Sequence, residues 1–263
     1  INTVKGKGYD FAEKDPSQFH GISKFNIFSG EPIYSSDSFS DVAGKFLCDA
    51  ALKDRRICAI TAAMSLGTGL EDFSKQFPQR FFDVGIAEEH AVTFASGLAK
   101  NGMLPVFAVY STFLQRTYDQ IIHDCALQQE HIVLAIDRAG FVGEDGETHQ
   151  GLFDVSLLNS IPNITVYAPA CFSELNKAFV AAFYHTDGVV AVRYPRGTEN
   201  EMFAEWEASD KPFDVFGNEN AETAIVTYGR IFASAYKAAE KLRENGIDVK
   251  IVKLNRIKPI DTE

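Results

Sequence analysis

Asp83-Val84-Gly85-Ile86-Ala87-Glu88-Glu89-His90-Ala91-Val92 runs from a strand-like segment, through a glycine turn, into a helix that opens on two acids. Steps of three, four, seven and eleven from Glu88 reach Ala91, Val92, Ala95 and Ala99, all apolar. Steps of four, seven and eleven from Glu89 reach Thr93, Ser96 and Lys100, all polar. On a 3.6-residue period the two acids lie on different faces. Glu89 is expected in solvent. Glu88 is expected in a partly buried stripe of small residues, where a carboxylate is costly to keep ionised without a partner. The helix start offsets part of that cost. Taken alone, Glu88 reads as a cap or as half of an ion pair; a perturbed acid marks a site only in company.

Working outward, strand-like apolar runs fall at 57–62, 80–84, 104–109, 131–137, 164–168 and 189–194, with helical patterns near 70–77, 87–100, 115–128 and 173–185. Upstream, Phe39, Val42, Ala43, Phe46, Leu47 and Ala50 share one helical face, with Ser36, Asp37 or Ser38 available as the cap. The alternation predicts an α/β fold, a mostly parallel sheet with helices on both faces. Ligands of such sheets bind beyond the carboxyl ends of the strands. That gathers 85–88, 110–116 and 138–150 at one rim. Residues 1–33 read as an extended segment punctuated by Gly and Pro. Residues 34–198 hold the sheet. An acidic, irregular stretch, 199–222, reads as a linker. Residues 223–263 read as the beginning of a second α/β domain: a strand at 223–228, a helix at 230–244 and a strand at 249–254.

The chain has 263 residues, 46% of them hydrophobic, and a formal net charge of -11. The length suits one large or two ordinary domains. The charge disfavours nucleic acid or an anionic membrane as a partner. No apolar run approaches the roughly 18–20 residues of a membrane span. Cys48, Cys58, Cys125 and Cys171 lack CxxC or metal-ligand spacing and read as reduced, buried thiols of a cytoplasmic protein. Ile1 is not a start methionine and the chain stops at Asp261-Thr262-Glu263, so both ends read as cut from a longer protein.

Three further segments carry chemistry. Tyr110-Ser111-Thr112-Phe113-Leu114-Gln115-Arg116 follows a strand, and a rim Phe could stack on a flat heterocycle or simply pack in the core. Arg116, in an expected first helical turn, is poorly placed for the helix dipole and hints at an anionic partner. The run 137–151 is a long loop with four glycines, in which Asp145 and His149 could form an acid–base or substrate-orienting pair. Arg193-Tyr194-Pro195-Arg196-Gly197 ends a strand at the same rim, and Arg196 with Arg138 could make an anion site. There is no complete dinucleotide fingerprint, P-loop or Gly-x-Ser-x-Gly elbow.

Taken together, the runs 85–95, 110–120, 137–140, 145–151 and 193–197 closely resemble the 1-deoxy-D-xylulose-5-phosphate synthases, thiamine-diphosphate enzymes of the transketolase superfamily. The resemblance spans essentially the whole chain. It implies that 1–33 is the tail of a first, diphosphate-binding domain, 34–198 a pyrimidine-binding domain, and 223–263 an incomplete transketolase C-terminal-like domain. It implies condensation of pyruvate, with loss of CO₂, and glyceraldehyde 3-phosphate to 1-deoxy-D-xylulose 5-phosphate. That reaction opens the non-mevalonate isoprenoid route and feeds thiamine synthesis. By resemblance, Glu88 bonds the pyrimidine ring nitrogen and Phe113 stacks on the ring, with Lys5 near the diphosphate. Arg138 and Arg196 would hold the substrate phosphate, with Tyr110 nearby and Arg116 supporting the acceptor site. His149, Asp145 and His20 would serve catalysis. The family's Gly-Asp-Gly and Asn ligands for Mg²⁺ have no match here, so Mg²⁺ is expected from a domain missing from this chain. The isolated chain is accordingly expected to be inactive, and the full-length protein a homodimer. The rivals are the β subunit of a 2-oxoacid dehydrogenase, which needs no sugar-phosphate clamp, and a non-catalytic fragment that merely keeps the fold.

Overall fold

The computed structural model describes residues 2–22, 24–33 and 37–261, and all their side chains but that of Glu144. It falls into two compact units, Ile1–Asp37 and Ser38–Glu263. The first is less extended than its glycines and prolines imply. It holds a short helix, Asp10–Lys14, and a 3-10 turn, Gln18–His20. Its centre is aromatic: Tyr9 packs on Phe11, Phe19 and Phe25 at ring-centroid distances of 5.4–5.9 Å. The Tyr9 hydroxyl donates to the carbonyl of Ile27.

The second unit is built on a seven-stranded sheet. In chain order its strands are β1 (Ile57–Thr61), β2 (Phe81–Asp83), β3 (Leu104–Tyr110), β4 (Ile132–Asp137), β5 (Ile164–Tyr167) and β6 (Val189–Arg193). These six are parallel, and β10 (Arg256–Lys258) adds an antiparallel edge, giving the order β10-β5-β6-β4-β3-β1-β2. Alternate residues feed two cores, as strands covered on both faces require. Val106, Ala108, Val133, Ala135, Val190 and Val192 meet the helices Phe39–Lys53 and Phe172–Tyr184. Phe107, Val109, Leu134, Ile136 and Ala191 meet the Glu88–Lys100 helix and the segments Ser111–Ala126 and Asp154–Ser160. The Phe39–Lys53 helix opens on a capping box formed by Ser38 and Asp41. Of the three expected caps, Ser38 is the one used, and Ser36 lies outside the described residues.

A second sheet of three strands, β7 (Phe213–Phe216), β9 (Val249–Leu254) and β8 (Thr223–Tyr228), carries the Phe232–Glu244 helix. Strand β7 lies inside the stretch read as an irregular linker. That stretch also packs Phe203 and Trp206 against Phe232. Aromatic anchors spaced several residues apart carry no period, which is why it reads as irregular. On β9 the inward positions are Val249, Ile251 and Lys253. The fully buried Lys253 ammonium lies 2.7 Å from Glu174 Oε1, and Glu174 also accepts from the Trp206 indole and the backbone of Ala170. Without such partners a buried lysine would be prohibitively costly.

Candidate active site

The carboxyl ends of β6, β4, β3, β1 and β2 lie in that order along one rim, and the loops that leave them carry the site. After β2, Asp83 Oδ1 accepts from the backbone of Ala63 and Gly85, and Gly85 takes a left-handed φ of 72°. The helix then starts at Glu88 with no side-chain cap from Ala87. Glu88 is 1% exposed, whereas Glu89 and His90 are exposed, as the period dictates. Glu88 Oε1 accepts from Arg116 Nη1 at 2.5 Å. Glu88 Oε2 is buried and has no hydrogen-bond partner among the described residues. A buried carboxylate oxygen left unpaired costs free energy unless a donor completes it.

Arg116 leaves β3 within a helical segment that changes pitch three times. α-Helical Ser111–Leu114 is followed by 3-10 Gln115–Thr117, one α-helical turn at Tyr118–Gln120, and π-helical Ile121–Ala126. The anionic partner expected for Arg116 from its awkward place near a helix start is met within the chain by Glu88. The Arg116 guanidinium also lies 4.9 Å above the ring of Phe113. Phe113 is half-buried and packs on Tyr110 and His149, at 5.9 Å and 5.4 Å between ring centroids. A flat apolar surface and an unpaired buried acceptor therefore meet through Arg116.

After β4 the backbone turns left-handed at Arg138, with φ 60°. This brings the guanidinium 3.7 Å over the ring of Tyr110, the residue paired with Asp137 across the sheet. Arg138 donates to Gly67 O at 2.7 Å and to Asp145 Oδ2 at 3.1 Å, and it lies 3.1 Å from Asp137 Oδ1. Asp145 Oδ1 lies 3.0 Å from Nε of Arg196. One carboxylate thus bridges the two arginines expected to hold an anion. The long loop is closed by the pairing of Gly140 with Gly151 and by Gln150, which accepts from Val142.

The expected pairing of Asp145 with His149 is not formed: no hydrogen bond or ion pair joins them among the described residues. Left-handed Gly146, with φ 81°, separates the 3-10 turns that carry each. Asp145 binds the arginines, while His149 Nδ1 lies 2.9 Å from the Thr148 hydroxyl. His20 and Lys5 belong to the first unit, where both are exposed.

Sequence reasoning missed Gly67, Ser40 and the role of Asp137. A Cβ on Gly67 would sit 1.7 Å from the Tyr110 hydroxyl, so only glycine lets the two segments approach. Asp137 is fully buried, and Ser40 Oγ donates to its Oδ2 at 2.6 Å. Burial pushes the Asp137 carboxyl up to about 6, against the opposing pull of Arg138 and Ser40. Burial likewise raises the Tyr110 phenol and holds that of Tyr194 well above its usual value.

Comparison with known proteins follows the same lines. The family described as "Transketolase, pyrimidine binding domain" matches residues 37–200, and "Transketolase, C-terminal domain" matches 216–263. A 1-deoxy-D-xylulose-5-phosphate synthase of Clostridium kluyveri is 49% identical over 99% of this chain and 42% of its own length. That of Caldanaerobacter subterraneus subsp. tengcongensis is 51% identical over 100% of this chain and 42% of its own. The chain thus spans well under half the length of these relatives. Among solved structures, a split gene transketolase, described as an inactive beta4 tetramer, is 28% identical with a TM-score of 0.73, covering 86% of this chain and 74% of that one. A transketolase from Campylobacter jejuni, 20% identical and covering 86% of this chain and 37% of that one, shares the fold with a TM-score of 0.75.

Proposed function

The chain belongs to the transketolase pyrimidine-binding domain family, and on that premise we propose that the protein carrying it condenses pyruvate, with decarboxylation, and glyceraldehyde 3-phosphate to 1-deoxy-D-xylulose 5-phosphate. The observation that carries the reading is Glu88: buried, fixed through Oε1 by an Arg116 that also lies over Phe113, and with Oε2 unpaired among the described residues. These residues fit the pyrimidine half of thiamine diphosphate. When bound, that cofactor supplies the carbon nucleophile for the pyruvate carbonyl and the electron sink for loss of CO₂. Glu88 would share a proton with the pyrimidine ring nitrogen through Oε2, while the ion pair on Oε1 keeps the carboxylate from turning away. Phe113 would offer its ring face to the heterocycle.

Arg138 and Arg196 would grip the substrate phosphate through their guanidinium forks. Asp145 now occupies donors on both, so phosphate must compete with it. Arg138 is held by Gly67 and stacked on Tyr110, which sets the direction of its remaining donors. His149, packed edge-on to Phe113, would orient pyruvate or pass protons, with Asp145 as a second candidate once it leaves the arginines. His20 is proposed to serve the same chemistry and Lys5 the diphosphate. Arg116 supports the acceptor site only through Glu88. The Mg²⁺ ligands, and the diphosphate contacts other than Lys5, are assigned to residues outside these 263, and the isolated chain is proposed to be inactive. The whole protein is proposed to be a cytoplasmic homodimer, consistent with four buried free thiols. In this reading 37–200 is the pyrimidine-binding part and 216–263 the start of a C-terminal domain.

The test is product analysis on the full-length protein with pyruvate, glyceraldehyde 3-phosphate, thiamine diphosphate and Mg²⁺. Release of CO₂ together with 1-deoxy-D-xylulose 5-phosphate is expected. Decarboxylation that instead needs a lipoyl acceptor would contradict the reading.

A further inference from the structure

The anion site carries a buried charge that its chemistry does not require. Four charges are linked: Arg138 and Arg196 are bridged by Asp145, and Asp137 lies against Arg138 from beneath. Two guanidiniums and two carboxylates sum to zero. A net-neutral cluster is a poor receptor for a dianion. Asp145, 19% exposed, can swing outward when an anion takes its place. Asp137 cannot, because it is the last residue of a central strand and its side chain is wholly enclosed.

The surroundings of Asp137 define what it can do. Ser40, from the Phe39–Lys53 helix, donates to Oδ2. Arg138 lies against Oδ1. Tyr110 stands opposite on β3, and Tyr194, at the end of β6, has a buried hydroxyl with no hydrogen-bond partner among the described residues. Asp145 and Arg196 stand one step further out: both act on Tyr110, and Asp145 pairs with both arginines. Among the described residues its one cationic partner is therefore the guanidinium that an incoming phosphate would claim, 3.1 Å away in an ionic contact that leaves Oδ1 without an aligned hydrogen bond.

Building on the phosphate reading of Arg138 and Arg196, we propose that Asp137 is a positioning residue for Arg138 whose charge opposes the bound anion, so that filling the site with a phosphate- or sulfate-type anion draws one proton from solvent onto Asp137. The free site then keeps Arg138 aligned by an ion pair, and the filled site replaces that pair with the substrate. The carboxyl already sits near its midpoint at mildly acid pH, because burial raises it. An added dianion a few ångströms away raises it further, through Arg138's lost compensation and direct repulsion. By linkage, anion affinity falls as pH rises through that midpoint.

Inorganic sulfate is the probe, since it does not titrate in this range. Nuclear magnetic resonance would follow the Nε–Hε signals of Arg138 and Arg196 in the full chain, at fixed ionic strength and at several pH values. Sulfate is expected to bind at least about tenfold more tightly near pH 5 than near pH 8. Asp137→Asn should bind near pH 8 about as tightly as the wild type does near pH 5. Ser40→Ala, which removes the bond favouring the charged carboxylate, should move the midpoint of the affinity change upward in pH. A merely structural serine would leave that midpoint in place. If both variants keep the wild-type pH dependence, it belongs to another group, such as His149, and the proposal is overturned. If sulfate leaves both arginine signals unmoved at every pH, the phosphate reading itself fails, and this inference with it.

Discussion

At the scale of the residue, position in a period and position against a neighbour were legible to different degrees. Glu88 and Glu89 are adjacent, yet one is enclosed and the other solvated, and the 3.6-residue count alone separates them. Arg138, Arg196 and Asp145 were recognisable as rim residues because strand ends are. Their bonding was not, since it depends on the left-handed backbone at Arg138 and on the missing Cβ of Gly67. Asp137 passed as the last polar residue of a strand, because nothing local marks it as sealed. Two tests belong here. Arg138→Ala and Arg196→Ala in the full-length enzyme should each raise the KM for glyceraldehyde 3-phosphate about ten- to a hundredfold, the loss of one charge-assisted contact. The KM for pyruvate should move much less; equal changes would assign them a structural role. Asp137 also costs stability. Its carboxyl titrates at 3.8 when unfolded and about 6 when folded, a gap worth roughly 3 kcal/mol. Below pH ~4 both states are protonated and no penalty exists. Between pH ~4 and ~6 the folded state keeps a proton that the unfolded state has lost, so stability falls as pH rises, and above ~6 the full penalty applies. Urea unfolding should therefore find Asp137→Asn more stable than the wild type above pH ~6, with the difference vanishing near pH 4. So costly an acid at the rim fits a role in the site.

At the scale of the element, every strand of the parallel sheet announced itself as an apolar run, although the edge strand β2 is only half-buried and ends on the exposed Asp83. The pieces that stayed hidden were short or mixed in pitch. Asp154–Ser160 has only seven residues, too few to display a period. The Ser111–Ala126 segment reads as one helix but changes pitch three times, and its 3-10 portion carries Arg116, the residue that meets Glu88. Strand β10 is Arg-Ile-Lys, with only Ile257 buried, and its worth lies in Lys258. That ammonium donates to the carbonyls of Leu158, Asn159 and Ile161, which satisfies the C-terminal end of the Asp154–Ser160 helix. The same helix begins at Asp154, whose carboxylate lies 2.7 Å from Arg193 Nε, and it follows the loop that closes at Gly151. Lys258→Met, which keeps most of the stem, should lower stability by about 1.5–3 kcal/mol in urea unfolding, as the loss of a charged donor does. No change would show that solvent satisfies those carbonyls equally well.

At the scale of the molecule, the alternation of strands and helices specified the α/β class, and the rim rule specified which end carries the chemistry. What alternation could not reveal is how firmly the second sheet joins the first within the Ser38–Glu263 unit. Strand β10 pairs with β5, and Lys253 is buried against Glu174. Both are long-range pairings with no local signal. The account turns on one atom, Glu88 Oε2, buried at the rim and unpaired among the described residues. The most direct test is the turnover of pyruvate and glyceraldehyde 3-phosphate by the full-length protein, wild type against Glu88→Gln, with circular dichroism and thermal unfolding confirming the fold. The Gln side chain keeps the shape but cannot share a proton as a carboxylate does, so turnover should fall by at least about a hundredfold, while Glu89→Gln stays near wild type. Full turnover in Glu88→Gln, or equal losses in both variants, would contradict the account.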